Sequence, residues 1–152
     1  MEYDYEKVIK DNTEDISLAK GKTLEAALAN IVGGELNVIH LLFEDIWFSA
    51  NGLLGSEILE FHRREEKFEK VEFNKENCVI DLPVLNQFIG MEVVEIRQIG
   101  TAWNGHGFEF SFKNVPEKTL LLQSIYTGSE PEDFSDCMRV GVGNYIYYID
   151  PT

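Results

Sequence analysis

The chain has 152 residues, with 27 acidic side chains against 13 basic ones and a formal net charge of −14. One globular domain spanning residues 1–152 is expected at that length, and no apolar stretch approaches the ~18 residues needed to cross a bilayer. Leu, Ile, Val and Phe make up roughly a third of the chain, well above the ~20% below which a chain stays disordered.

The acid excess argues against nucleic acid and against anionic membrane surfaces, since both are bound by Lys and Arg neutralising phosphates. Two readings of the charge remain: it keeps the domain soluble, or it steers a basic protein partner onto the surface. Cys78 and Cys137 are too few for a disulfide framework in a domain of this size and read as free thiols. The N-terminal MEYDYEKVIKDNTED has neither the basic nor the apolar region of a secretory signal, so a cytoplasmic location is the expectation.

Taken in chain order, residues 1–22 are the most acidic part. Tyr5, Val8 and Ile9 lie three and four apart and suggest a short helix or arm, which Asn12 and Gly21 would break. Thr23 can cap a clearer helix over Leu24–Val32, closed by Gly33-Gly34. From Leu36 the pattern becomes extended. Leu36–Phe43 is an apolar run that Glu44-Asp45 can turn, and Ile46–Ala50 leads into Asn51-Gly52, a hairpin signal, with a third strand over Leu53–His62. A helix over part of 36–48 is the alternative, since periodicity does not separate the two in a buried apolar run. The run Arg63–Asn77 is dense in charges of both signs and reads as a solvated turn or a protected strand edge.

Cys78–Ile80 is a short strand, and Pro83 opens a helical turn through Phe88 that Gly90 ends. Met91–Ile99 is a strand and Thr101–Gly107 a loop; Phe108, Phe110 and Phe112 then alternate with polar residues as a half-buried strand does. After a turn at Pro116 comes a strand over Thr119–Tyr126. Thr127–Asp136 is a loop by composition, and Met138–Val142 and Tyr145–Ile149 flank Gly143-Asn144 as a last hairpin. The expected fold class is therefore α+β, with one or two N-terminal helices packed on a largely antiparallel sheet.

Signatures of phosphate cradles, nucleophile elbows and zinc sites are absent, so no cofactor and no metal is implied. His40, inside VIHLLF, reads as a satisfied core or edge histidine, and His62, beside Arg63 and Arg64, as a surface residue. Two segments stand out as candidate partner-binding sites. Trp103-Asn104-Gly105-His106-Gly107 sets Trp103, Asn104 and His106 between two glycines at a strand junction, and Trp is favoured at binding hot spots. Glu130, Glu132, Asp133 and Asp136 surround Phe134 in an acidic loop whose spacing does not match a calcium site but suits docking on Lys or Arg.

Three functions compete on these grounds. The first is a binding module of the immunity or antitoxin type that neutralises a basic partner such as a nuclease toxin. The second is a small hydrolase or transferase using His106 with a carboxylate such as Glu109. The third is a structural subunit pairing through a sheet edge.

Overall fold

The computed structural model describes residues 4–32, 35–52, 58–70, 77–101, 104–124, 138–143 and 145–147. They form an α+β fold: helix α1 (Tyr5–Ala19), then strands β1 (Leu24–Val32), β2 (Glu35–Phe43), β3 (Ile46–Gly52), β4 (Leu59–Arg64) and β5 (Asn77–Asp81), a 3-10 helix at Pro83–Phe88, and β6 (Val93–Thr101), β7 (Asn104–Phe112), β8 (Thr119–Ser124), β9 (Met138–Val142) and β10 (Tyr145–Tyr147). The strands make two five-stranded sheets, ordered β4-β3-β2-β1-β5 and β10-β9-β8-β7-β6, with every pairing antiparallel. No helix among the described residues is long and apolar enough to cross a membrane.

Period-two alternation builds the interior. Ala27, Ala29 and Ile31 of β1, Ile39, Leu41 and Phe43 of β2, Phe48 and Ala50 of β3, and Leu59 and Phe61 of β4 turn inward from the first sheet, while Phe108, Phe110 and Phe112 of β7 and Leu120 and Leu122 of β8 turn inward from the second. Aromatic rings join the two faces: Phe43 stacks on Phe110 at 6.5 Å between centroids, and Phe61 meets Phe108 at 5.5 Å. Each such buried side chain contributes about 1.5–3 kcal/mol, which makes this layer the main source of stability. At one corner the sheets are stitched together by backbone: Thr23 bridges Glu92, and Gly21 N–H donates to the Val93 carbonyl at 2.8 Å.

Several expected elements change. The stretch expected to be a second helix, Leu24–Val32, is β1. It pairs with β2 on one side and β5 on the other, so its ladder hydrogen bonds and two-sided burial override the helix-like spacing of its Leu and Ala residues. The segment expected as a short helix or arm is a helix of 15 residues, longer than expected, with Asp4 as N-cap accepting the Lys7 N–H at 3.1 Å. Asn12 does not break it: the residue is buried, and its side chain bonds to β4, which offsets its weak helix propensity. Gly21, at φ +83°, reverses the chain after α1. Asn51 and Gly52 are not a hairpin turn either; they extend β3, paired with Glu60 and Leu59.

The expected third strand over Leu53–His62 is observed as β4, Leu59–Arg64, running two residues into the charged stretch, with residues 53–57 outside the described residues; the remaining expected strands overlap observed ones. The hairpin over Gly143 joins β9 to β10 through the pairing Tyr145↔Val142, while the expected loop Thr127–Asp136 lies outside the described residues. Because β4 and β5 occupy opposite edges of the first sheet, the chain between them has to cross that sheet. Its described part, residues 65–70, does so over the outer face: the Phe68 ring stacks on His40 at 3.7 Å and meets Trp47 edge-on at 5.4 Å, and Lys70 pairs with Asp81 at 3.0 Å.

Candidate functional site

Of the residues expected to bind a partner, Trp103, Glu130, Glu132, Asp133, Phe134 and Asp136 lie outside the described residues, and of Asn104 only the backbone, at the start of β7, is described. The strands that carry them are nonetheless neighbours. β7 pairs with β8 and β8 with β9, and Ser124 lies opposite Met138 at the end of the second sheet where β6 gives way to β7. Gln123 ties these supports together, its Nε2 donating to the Gly105 carbonyl at 2.7 Å while Arg139 donates to its Oε1. The Ser124 hydroxyl beside this junction is buried and has no hydrogen-bond partner among the described residues.

His106 is placed differently from the expectation. Residues 104–107 belong to strand β7 rather than to a loop, and His106 is 1% exposed, so its ring serves the interior and not an external contact. Nδ1 accepts the Leu59 N–H at 2.9 Å, which puts the ring proton on Nε2, donated to Gln98 Oε1 at 2.8 Å. Gln98 in turn donates to the Ile9 carbonyl and the Thr13 hydroxyl, and Asn12 donates to Gln98 Oε1 and the Leu59 carbonyl while accepting the Phe61 N–H at 2.9 Å. Burial holds the His106 pKa down at about 4. The His106–Glu109 pairing of the hydrolase reading does not form. Three positions apart on one strand, the two side chains leave opposite faces, and Glu109 pairs with Arg97 on the outside.

His40 is 6% exposed and shares a 2.7 Å hydrogen bond with Ser49, its cross-strand partner. Burial, and secondarily the Arg64 guanidinium, lower its pKa to about 4. His62 is half-buried rather than on the surface; it donates from Nε2 to Asn51 Oδ1 at 2.9 Å, and burial lowers its pKa as well. These rings pack and hydrogen-bond within the sheet. Among the described residues, no three His, Cys, Asp or Glu side chains converge to hold a metal.

A concave site of another kind lies along the outside of the first sheet. A cavity of about 350 Å3 has Trp47 and Leu42 among its walls and is rimmed by Glu25, Glu44, Asp45, Glu65 and Glu66, with Arg64 and Lys67 beside them. Each wall follows from local structure. Alternation turns Phe48 and Ala50 inward and leaves Trp47 outward, half-buried. The turn carrying Glu44 and Asp45 is pinned because Glu44, at φ 55°, exchanges two hydrogen bonds with the Thr23 backbone, at 2.9 and 3.0 Å. Arg64 is already engaged, by Glu66 at 2.7 Å and by the Phe68 ring at 5.5 Å. Glu25, Asp45 and Glu65 make no ion pair among the described residues.

A second groove of about 310 Å3, between α1 and β4, adds Asp11, Glu14, Asp15 and Glu60. Sequence reasoning missed both clefts, because their carboxylates come from segments far apart in the chain. The signal that could have found the first was the strand period, which sets Trp47 on the face opposite Phe48. Comparison with known protein families, with curated proteins and with solved structures returns no match.

Proposed function

We propose that the chain is an acidic protein-binding module that neutralises a basic partner, in the manner of an immunity or antitoxin protein occluding the phosphate-binding cleft of a nuclease toxin. The observation that carries the reading is the carboxylate-rimmed, Trp47-walled cavity on the outer face of the first sheet. Negative charge alone would serve solubility; charge concentrated around a half-buried aromatic in a concavity suits an inserted Lys or Arg side chain, which gains ion pairing and ring contact together. The net charge of −14 accelerates encounter with a positive surface. The acidic segment Glu130–Asp136 belongs to the same proposal as a second contact.

The test is calorimetric titration with an Arg-rich peptide and with the basic domain of any co-encoded toxin, using Asp45→Lys plus Glu65→Lys, Trp47→Ala, and Glu132→Lys plus Asp133→Lys. Loss of affinity of roughly tenfold or more in the first two variants, steepening at low salt, is expected. Trp47→Ala is the discriminating arm, since diffuse charge attraction would not notice it. Binding indifferent to both Trp47 and the two charge reversals would refute the proposal.

A further inference from the structure

The hydrogen bonds around His106 admit only one protonation state. Nδ1 accepts the Leu59 N–H, Nε2–H donates to Gln98 Oε1, and that oxygen also accepts from Asn12. A second ring proton would set Nδ1–H against Leu59 N–H, two donors facing each other where α1, β4 and β7 meet. We propose that His106, Gln98 and Asn12 form an acid-operated latch, in which protonation of His106 releases α1 from the edge of β4 before the two sheets separate.

The geometry makes this release local. α1 covers the outward backbone of edge strand β4 with side chains: Asn12 takes the Phe61 N–H and Leu59 carbonyl, and Asp15 accepts from Arg63 N–H at 3.4 Å. Its buried residues are Asn12, Ile16 and Ala19, so none lies in its first two turns. Gln98 reaches the second of those turns by donating to the Ile9 carbonyl, donates to the Thr13 hydroxyl just beyond it, and is itself oriented by His106.

Among the described residues, no charge compensates an imidazolium there. The ring faces Asn12 of α1, the Leu59 backbone of β4, Gln98 of β6 and the Phe108 ring of β7 at 5.3 Å. Of the charged and titratable groups on those elements, Asp11 pairs with Lys7, Asp15 accepts from the Arg63 backbone, Arg64 pairs with Glu66 and Arg97 with Glu109, while Glu14, Glu60 and His62 line the outer groove. Burial is accordingly the cause of the low pKa, about 4 against the ordinary 6.5.

Hydrogen exchange of backbone amides, with histidine NMR on the same full-length sample, tests the latch between about pH 7 and pH 3.5. The open form binds one more proton, so the opening constant of α1 should rise roughly tenfold per pH unit from 6.5 down to about 4. The amides of α1, Leu59 and Phe61 should lose protection ahead of those in β1, β2 and β7. In His106→Asn, which cannot take up this proton, the opening of α1 should rise far less than tenfold per pH unit, keeping only the smaller dependence that half-buried His62 contributes from the α1–β4 groove, whereas His40→Asn should leave the wild-type profile intact. The latch is refuted if α1 and the core strands share one pH profile, or if His106→Asn keeps the wild-type dependence. Should that variant not fold, the wild-type chain still decides: a His106 ring titrating near 6.5 with α1 protected would overturn the latch.

Discussion

Two residues show how little freedom single positions have in this fold. Asn12 works as a peptide group would in an added strand, donating to the Leu59 carbonyl and accepting the Phe61 N–H, both at 2.9 Å. Asn12→Ala strands buried backbone groups and should cost about 2–4 kcal/mol in urea unfolding. An Ala variant as stable as wild type would mean that water replaces the amide without penalty. Gly107 is constrained by contact rather than by dihedral angle. A Cβ there would run into the Leu122 carbonyl and the Gln123 backbone, so Gly107→Ala should force β7 away from β8 and lower stability by about 2 kcal/mol or more. Gly143, at φ +61° with open space where a Cβ would sit, would suffer only from backbone strain.

At the scale of elements, the crossing segment 65–70 is the least conventional feature. It leaves one edge of the first sheet and, among the described residues, is held by one aromatic plug and two ion pairs, Arg64–Glu66 and Lys70–Asp81. Exposed pairs contribute at most about 1 kcal/mol, so Phe68 is the principal anchor. Phe68→Ala should uncover His40 and let its pKa climb from about 4 toward 6.5, as read by NMR titration of the ring. If the value stays put, the strands alone bury the imidazole and the segment is not its cover. The same substitution should loosen the wall of the cleft formed by Glu65, Glu66 and Lys67 and weaken binding of an Arg-rich peptide there.

For the whole molecule, pH acts most strongly through two of the three buried or half-buried histidines, with His62 shifted in the same direction. His40 and His106 are depressed to about 4 in the folded chain, while the unfolded chain binds their protons near 6.5. The unfolded state therefore carries more protons throughout that window. Stability is fully present above about 6.5 and falls as pH drops toward 4, by up to about 3 kcal/mol per histidine. Urea midpoints measured across this range should decline, and the decline should shrink in a chain with both histidines replaced by Asn; a flat profile would contradict the assignment. The net charge of −14 acts at the same scale. Self-repulsion weakens with screening, so added salt should raise the melting temperature even as it weakens capture of a basic partner.

The one-dimensional pattern determined much of the second sheet. The alternation Phe108, Phe110, Phe112 placed one face of β7 correctly, and Gly143 marked the last hairpin, because period and turn chemistry are local properties. Fold class followed from the same signals. The tertiary structure alone decided that Leu24–Val32 is a strand, because its partners β2 and β5 satisfy its backbone on both sides. Likewise, only the packed chain shows His106 as an interior joint: an imidazole between glycines looks exposed until Leu59, 47 positions earlier, is brought to its Nδ1. The acid-rimmed cleft is also a product of folding, since Glu25, Asp45 and Glu65 share a rim only once β1, the β2–β3 turn and the crossing segment converge. Periodicity reports which side of a strand faces inward; it carries no information about which distant segment arrives to meet it.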